Sequence, residues 1–440
     1  MLLLTVMPVV GVRATRAADP PPEQLQKKVA ALVGNLDAGS QNIRTRARTE
    51  LLELGPAVLP LLPAPERLPS VAVKEAVRDI RLMLEKTQAR ESAKPTHVAT
   101  VAGDMSLERF AALVNVQTGN ALDLSALPVD VLGHTIRFET QQQTFWKAMD
   151  DVAAQLRLRY SNAEAAHTLR LEQSPDNAPS RELRVVYNGA FRVAVTSAVR
   201  RPIVGDASHD LLRLQLGVRA EPRLRPLFLR FSARDVAATS PSGGQLEAFT
   251  PGASYELPLG DRGHDVTVRV DFRVPNSPTL ERIDVRGRLV MQTAAGSETF
   301  QFIDLAKSQG KSLRRGGVVT TLRKVGFEKA DDGNSSAVIR IAVAYETGGP
   351  AFESHRTWIF HNEAALLAAD GSRIEPGRDF KTVRQADGAV AIEYRFEPLS
   401  AAADSYKFLY VAPTLIINVP IEFEIPGLPV SSNPAERTQP

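Results

Sequence analysis

The sequence predicts a multidomain, mainly β protein, and three observations support this prediction. The chain has 440 residues, and at about 150 residues per domain this length corresponds to roughly three domains. It contains 30 prolines and 28 glycines, which indicates many turns. Beyond residue 180 apolar and polar residues alternate, as in Leu212–Val218 and Val266–Val274, and this pattern is typical of strands with one buried face.

The composition excludes several kinds of site. The chain is 43% hydrophobic and 23% charged, which is ordinary for folded domains and argues against wholesale disorder. It has no cysteine, so disulfides, thiolate metal ligands and a thiol nucleophile are excluded. The formal charge is only +3, from 53 basic and 50 acidic residues, so we expect no nucleic-acid partner.

The first 17 residues resemble a secretory signal peptide. Residues 2–12 are apolar, and Thr15-Arg16-Ala17 places small residues at the two positions that a signal peptidase reads. No Lys or Arg precedes the apolar run, which departs from the usual pattern. The run is shorter than the roughly 20 residues that a membrane span needs, and no later segment is long and apolar enough. We therefore expect an exported protein of the periplasm or cell surface, without a transmembrane span.

Residues 19–95 have the periodicity of helices. Apolar stripes recur at helical spacing in Leu25–Leu36, Ile43–Leu54 and Val73–Leu84. Gly55-Pro56 marks a helix stop followed by a restart. The stretch around these two residues resembles a HEAT-type helical repeat. A solenoid needs about three repeats and this segment has two helical pairs, so a short helical bundle without a binding role is the other interpretation.

Residues 96–173 alternate between strand and helix patterns. Leu107–Val114 and Phe145–Leu156 each give one apolar helical face, with strands before, between and after them. With the turn at Gln117–Asn120 and a strand at Gly133–Phe138, this order resembles the short N-terminal domain of secretins and TonB-dependent receptors. The resemblance covers under a fifth of the chain. It implies a small periplasmic βαβ-type unit that contacts other envelope proteins. Neither a secretin channel module nor a receptor barrel follows it, which departs from both families.

Residues 181–310 and 311–428 predict two antiparallel, Ig-like β-sandwiches. Short alternating strands are separated by turn sequences such as Asn188-Gly189 and Asp387-Gly388. A polar linker at 174–180 precedes the first sandwich, and we expect a disordered tail at 429–440. The whole arrangement resembles uncharacterised exported proteins of planctomycete-type bacteria, which implies no mechanism.

No motif in the sequence points to catalysis, a metal or a cofactor. Ser308–Lys311 matches the S-x-x-K motif of penicillin-binding enzymes, but the companion motifs are missing. His355 and His361 flank Trp358, and two histidines are too few ligands for a metal ion. Asp331–Asn334 fits a hairpin turn better than a calcium loop. We therefore expect no catalytic, metal-binding or cofactor-binding residues.

A local excess of arginine is the strongest surface signal. From Arg181 to Asp235 the sequence has 11 arginines against 5 acidic residues. Four of the arginines lie close together in the chain: Arg219, Arg223, Arg225 and Arg230. Such a group can bind an anionic polymer or an acidic partner. The competing interpretation, which we favour, is that these arginines occupy the polar face of strands.

The sequence therefore favours a non-enzymatic binding or scaffold protein of the bacterial cell envelope. We expect it to recruit partner proteins by strand addition or by surface contacts. Two alternatives stay open. One is an envelope glycan hydrolase, because paired carboxylates can converge in the fold without a motif. The other is a polyanion binder that uses the arginine-rich sandwich.

Overall fold

Antiparallel strands predominate in the computed structural model, which confirms the mainly β prediction. The chain divides into two compact units, Met1–Glu91 and Ser92–Pro440. None of the helices in the described part of the chain is long and apolar enough to cross a membrane. The structure describes residues 23–65, 68, 70–163, 168–174, 182–259, 264–276, 280–315, 317–329, 335–345, 362–377, 381–386, 389–399 and 405–432. The expected signal peptide at 1–17 lies outside these residues.

The first unit is helical, as the periodicity predicts. It contains α1 (Glu23–Asn35), α2 (Gln41–Glu53), a 3-10 helix (Pro56–Leu61) and α3 (Val71–Ser92). Its core contains residues of the three predicted stripes, including Leu51 and Val77, and also Val58 of the 3-10 helix. Ile43 is an exception, because it is 47% exposed. Eight residues separate it from Leu51, and at 3.6 residues per turn this spacing rotates its side chain by about 80° from the buried face.

Residues 97–173 form a small α+β domain at the start of the second unit. A bent antiparallel ribbon pairs β1 with β5 and β2 with β4, and a three-stranded sheet has the order β3-β7-β6. The two main helices lie where the periodicity predicts them, and their apolar faces, including Phe110 and Trp146, form the core. The elements are β1 (His97–Thr100), β2 (Gly103–Ser106), α4 (Leu107–Thr118), β3 (Ala121–Asp123), α5 (Val129–Leu132), β4 (Thr135–Phe138), β5 (Gln141–Thr144), α6 (Phe145–Leu156), β6 (Leu158–Asn162) and β7 (Thr168–Gln173).

The two halves of this domain repeat one local structure. Helices α4 and α6 each have 12 residues, and each follows an extended N-cap residue, Ser106 or Thr144. Each helix ends at a left-handed residue, Gly119 (φ 71°) or Arg157 (φ 52°). Glycine adopts this conformation without strain, whereas a residue with a side chain rarely does. Arg157 adopts the left-handed conformation although it has a side chain. Both halves of the domain therefore end their helix with the same backbone geometry, at some conformational cost in the second half.

The remaining strands form one 13-stranded sheet system and a separate five-stranded sheet of order β17-β18-β19-β23-β22. The strands are β8 (Arg184–Asn188), β9 (Phe191–Ile203), β10 (Asp206–Ala220), β11 (Arg225–Ser232), β12 (Val236–Thr239), β13 (Gln245–Ala248), β14 (Ser254–Pro258), β15 (Asp265–Pro275), β16 (Arg282–Phe302), β17 (Ser312–Arg315), β18 (Val318–Lys329), β19 (Ser335–Tyr345), β20 (Glu363–Leu367), β21 (Arg373–Ile374), β22 (Lys381–Ala386), β23 (Ala389–Leu399), β24 (Lys407–Pro429) and β25 (Ser431–Ser432). A 3-10 helix (Ala233–Asp235) precedes β12, and the short helix α7 (Leu305–Ser308) follows β16.

The alternating segments of the sequence pair as predicted. β10 and β15 are antiparallel neighbours, with Leu214 opposite Val270 and Leu216 opposite Val268. These four side chains are buried in a large apolar cluster, which we call the first β core. One face of each strand is therefore apolar because it lies against this core, and the arginines and acids between them face outward.

Two long strands contribute to the first β core and also to a second β core, which contains residues of β18, β19 and β23. β16 has 21 residues and β24 has 23, and they pair along nearly their whole length. The start of β24 contributes Phe408 to the second core, and its end contributes Phe423 to the first. At Gly287 of β16 a Cβ atom would lie 2.4 Å from the Phe423 ring, so a side chain there would displace it. The sandwiches expected at 181–310 and 311–428 consequently do not separate at residue 310.

The C-terminal residues also differ from the expectation of a tail at 429–440. β25 pairs with β9 in parallel, with Ser431 opposite Val199. Residue Pro429 is the last residue of β24. An ordered strand therefore occupies the first part of the expected tail, and residues 433–440 lie outside the described part of the chain.

Candidate functional site

A buried carboxylate joins the small α+β domain to the first β core. Glu221 follows β10, and its side chain is 1% exposed. It accepts hydrogen bonds from the Thr96 amide (2.9 Å), the Thr96 hydroxyl (2.8 Å), the Asn120 amide group (3.3 Å) and Arg223 Nε (2.7 Å). Burying a carboxylate is costly unless its oxygens accept hydrogen bonds. These donors therefore hold the small α+β domain against the first β core.

A second polar cluster at the same junction surrounds Arg192 of β9. Its guanidinium lies 2.9 Å from Asp150 and 2.6 Å from Glu182, and its side chain is 8% exposed. Asp150 also accepts the hydroxyls of Tyr160 (2.7 Å) and Tyr187 (2.6 Å). Burial, followed by the charge of Asp150, raises the pKa of Tyr160 above its usual value. Burial and the hydrogen bond to Asp150 do the same for the pKa of Tyr187. Both tyrosines therefore remain hydrogen-bond donors.

These contacts join the small domain and the first β core within the second compact unit. Trp146 of α6 adds a hydrogen bond from Nε1 to the Ala190 carbonyl oxygen at 3.2 Å. The groups at this junction satisfy one another, and they leave neither a nucleophile nor an acid poised toward an opening. We interpret the junction as structural.

The four arginines of the sequence-predicted surface contact different partners. Arg219 is 3.3 Å from Asp265, and its guanidinium lies 5.7 Å from the centroid of the Tyr160 ring. Arg223 binds Glu221 and also donates to the main-chain carbonyl oxygens of Ser92 and Lys94. Both side chains are therefore engaged at the domain junction.

Arg225 and Arg230 are placed differently, on β11. Arg225 donates to Asn362 Oδ1 at 3.2 Å, and burial lowers its pKa from the usual value of arginine. Arg230 is exposed and lies opposite Glu256 of β14. Of the four predicted residues, Arg230 is thus the one that faces outward from an edge region.

The local excess of arginine is balanced by acids from other parts of the chain. Arg192 binds Asp150, Arg213 binds Asp271 at 2.8 Å, and Arg219 binds Asp265. A count over residues 181–235 includes these cations but not the carboxylates that the fold brings to them. The count over the segment therefore overstates the excess of positive charge that these three arginines contribute in the fold.

A Ser-His-Asp cluster at the β9–β10 turn does not have the geometry of a catalytic triad. Ser208 Oγ lies 2.9 Å from His209 Nδ1, and Asp206 Oδ2 lies 3.1 Å from the same nitrogen. A triad needs the serine on one ring nitrogen and the acid on the other. Ser208 also donates to Asp206 Oδ1 at 2.7 Å. Hydrogen bonds from Ser208 lower the pKa of Asp206 to about 2. We interpret the cluster as a set of local hydrogen bonds that stabilise the β9–β10 turn.

An open groove of about 580 Å³ lies over β12, β16 and β24. Its charged lining residues include Asp235, Arg286, Arg288, Glu422 and Glu424. Arg288 and Glu422 are 3.6 Å apart, and Asp235 Oδ2 accepts the Ser232 amide at 2.7 Å. The lining thus mixes both signs of charge, and two of its three carboxylates are engaged within the protein.

No group of three or more His, Asp or Glu side chains that could hold a metal ion occurs among the described residues. Ser308 of the S-x-x-K sequence is buried on α7 and donates to the Ile303 carbonyl oxygen at 2.6 Å. His355, Trp358 and His361, and the turn at Asp331–Asn334, lie outside the residues that the structure describes.

Two glutamines close the outer edges of the ribbon in the small domain. Gln117 of α4 accepts the Ala99 amide at 2.7 Å and donates to the Ala99 carbonyl oxygen at 3.1 Å. Gln155 of α6 makes the same pair of bonds to Arg137, at 3.3 and 3.4 Å. A carboxamide side chain here takes the place of a neighbouring strand. We call these two contacts the glutamine clasps.

β14 lies at the margin of its sheet as far as the described residues show. It pairs with β11 on one side, and no strand of the described residues pairs with its other side. Its Tyr255 and Leu257 are half-buried against the first β core. Sequence reasoning missed both features, although glutamine at the equivalent position of α4 and α6 was a signal for the clasps.

Comparison with known proteins adds no family. No family model matches the chain, and no curated protein does. Solved structures with distant likeness include a conserved domain protein from Bacillus anthracis, with 8% identity, 56% of this chain and 90% of that chain covered, and a TM-score of 0.17. A protein described as pT26-6p has 7% identity, 57% and 65% coverage, and a TM-score of 0.16. At these TM-scores neither likeness supports a statement about fold or function.

Proposed function

We propose that this protein is a non-enzymatic binding or scaffold protein of the bacterial cell envelope, which recruits partner proteins by adding their strands to an exposed sheet edge. The side of β14 that pairs with no strand of the described residues is the observation that carries the proposal. Strand addition draws affinity from backbone hydrogen bonds and selectivity from the neighbouring side chains. An edge strand held on a packed core provides both.

The polar contacts that join the small domain to the first β core support this function. The Glu221 and Arg192 clusters fix the small domain to the core that carries β14. A preorganised surface loses less conformational entropy when a partner binds, so more of the contact energy becomes affinity. The proposal treats the two β cores as Ig-like sandwiches whose edge strands are the docking positions.

Sequence resemblance supports the envelope location. Residues 1–17 have the pattern of a signal peptide, and residues 96–173 resemble the short domain of secretins and TonB-dependent receptors. In this proposal the small domain orients the protein toward an envelope partner. The glutamine clasps close the ribbon edges at Ala99 and Arg137, so recruitment by strand addition falls to the sandwich edges.

The two alternatives receive less support. The open groove collects Asp235, Glu422 and Glu424, but arginines lie among them and the Glu422 carboxylate is near Arg288. A glycoside hydrolase instead needs an acid and a base that flank the bond to be cleaved. A polyanion surface needs arginines that face one ligand, and Arg219 and Arg223 are engaged at the domain junction.

In-cell photocrosslinking of the full chain tests the proposal. A crosslinking amino acid is placed at Ser254 of β14, at Ser312 of the edge strand β17, and at Thr267 of β15, an exposed position on a paired strand that serves as control. We expect one envelope protein to be captured from an edge position and not from Thr267. Capture of no protein from either edge would refute the proposed function.

A further inference from the structure

We infer that the open groove over β12, β16 and β24 binds an acidic polysaccharide, whose carboxylates pair with Arg234 and Arg286. The groove has a volume of about 580 Å³, which is within the range of ligand sites in proteins. Its lining residues come from these three strands, from β13 and from the 3-10 helix that precedes β12. The site is therefore distinct from β14, and the inference goes beyond the proposed function.

The groove lies on the face of a paired sheet, so a ligand meets side chains there. Arg286 of β16 lies opposite Ala237 of β12 on one side and opposite Glu424 of β24 on the other. The backbone groups of β16 are therefore engaged with both neighbours, and strand addition cannot take place at this site. Ala237 has only a methyl group, which leaves space beside the Arg286 guanidinium.

Two arginines of the groove are available to a ligand. Arg234 and Arg286 are exposed, and no carboxylate of the described residues lies within 4.0 Å of either guanidinium. Arg288 differs from them, because it lies 3.6 Å from Glu422. A guanidinium presents its N–H donors in a planar fork that matches the two oxygens of a carboxylate. The groove therefore favours a ligand that carries carboxylates.

The acidic residues of the groove restrict which anionic ligands fit. Asp235 accepts the Ser232 amide at 2.7 Å, and Glu422 lies near Arg288. Glu424 is exposed and forms no ion pair within the described part of the chain. Its carboxylate repels a ligand with dense negative charge but accepts hydrogen bonds from neutral hydroxyl groups. A ligand with both carboxylates and hydroxyls, such as a chain of acidic sugars, matches the available groups of both kinds.

The open shape favours a polymer as the occupant. A small ligand is commonly held in a pocket that covers most of its surface, whereas a polymer can lie across an open groove and extend beyond it. An acidic peptide is less favoured, because extended peptides bind sheets through backbone hydrogen bonds at an edge. The paired strands beneath this groove leave only side chains for recognition, and sugar hydroxyls and carboxylates can be bound by side chains alone.

Calorimetric titration of the full-length protein tests the inference. The probe is a short oligogalacturonate, compared with its methyl ester, which retains hydroxyls but has no charge. We expect the acid to bind more tightly than the ester in low-salt buffer, and its affinity to fall as salt is added. An exposed ion pair contributes up to about fivefold in affinity, so Arg234→Gln and Arg286→Gln should each weaken binding of the acid by up to about this factor.

Arg269→Gln is the matched control, because Arg269 is an exposed arginine of β15, outside the groove. Equal weakening by this control, or no binding of the acid at millimolar concentration, would overturn the inference. Binding of the ester as tightly as the acid would do the same. If a blocked polyaspartate peptide binds as tightly as the oligogalacturonate and depends on the same arginines, the occupant is a protein carboxylate and the inference is wrong. The crosslinking test at β14 is independent of these results, so their failure leaves the proposed function intact.

Discussion

Replacing Glu221 with alanine tests whether the buried carboxylate holds the small domain against the first β core. The substitution removes four hydrogen bonds, and it leaves the Arg223 guanidinium, whose side chain is 18% exposed, without its anion. Hydrogen bonds to charged groups contribute about 1.5–3 kcal/mol each, although these values are not additive. Removing one partner of a buried ion pair costs about 3–5 kcal/mol. We expect a loss of about 3–5 kcal/mol.

The assay is urea unfolding at neutral pH, with the free energy of unfolding extrapolated linearly to water. Glu424→Ala serves as control, because Glu424 is exposed on β24 and surface substitutions usually change stability by less than about 0.5 kcal/mol. The double variant Glu221→Ala/Arg223→Ala should be less destabilised than the sum of the two single variants. Residues that share a buried network couple by about 0.5–3 kcal/mol.

Two results would refute the reasoning about this junction. The first is a loss below about 1 kcal/mol for Glu221→Ala, which would mean that the buried bonds are replaced on substitution. The second is additive behaviour of the two single variants, which would mean that Glu221 and Arg223 act independently despite their 2.7 Å contact.

Three further predictions concern single positions. Gln117→Ala should speed hydrogen exchange at the Ala99 amide of β1 about tenfold, because two hydrogen bonds that together contribute about 1.4 kcal/mol are lost. Gln142→Ala, on the exposed side of β5, should leave this exchange rate unchanged. Hydrogen bonds from Ser125, followed by Arg170, lower the pKa of Asp123 to about 2, below the unfolded value of about 3.9. The contribution of Asp123 to stability is therefore present above about pH 4 and is lost as pH falls toward about 2. In urea unfolding, the destabilisation caused by Asp123→Asn should accordingly vanish between these pH values. An unchanged destabilisation at about pH 2 would contradict this. Gly287→Ala should cost about 1–3 kcal/mol because its Cβ meets the Phe423 ring, and Phe423→Leu should recover part of the loss in thermal unfolding.

The periodic parts of the fold could be predicted from the sequence. Residues such as Leu214 and Val268 alternate with polar neighbours, so their strands and buried faces follow from local pattern alone. The helical stripe ending at Leu84 is likewise local information. Each of these features depends on residues only a few positions apart.

The candidate site could not be predicted, because it is formed by contacts between residues that are far apart in the sequence. Ser254 and Ser232 are neighbours in space, but nothing in the sequence indicates that no described strand pairs with the other side of β14. Glu221 is a single acid in an arginine-rich segment, and only the fold brings Thr96 to it from 125 residues away. The position of Arg225 against Asn362 has the same origin, since 137 residues separate them.

The shared strands β16 and β24 determine when the first β core can fold. Ile421 and Phe423, near the end of β24, belong to that core, so it cannot close until β24 has been made. Contacts between residues distant in sequence slow folding, because the intervening chain must be ordered first. A nascent chain of this protein thus lacks a complete first core until β24 has been made. If export, as we propose, takes place before β24 has been added, the first core closes on the far side of the membrane.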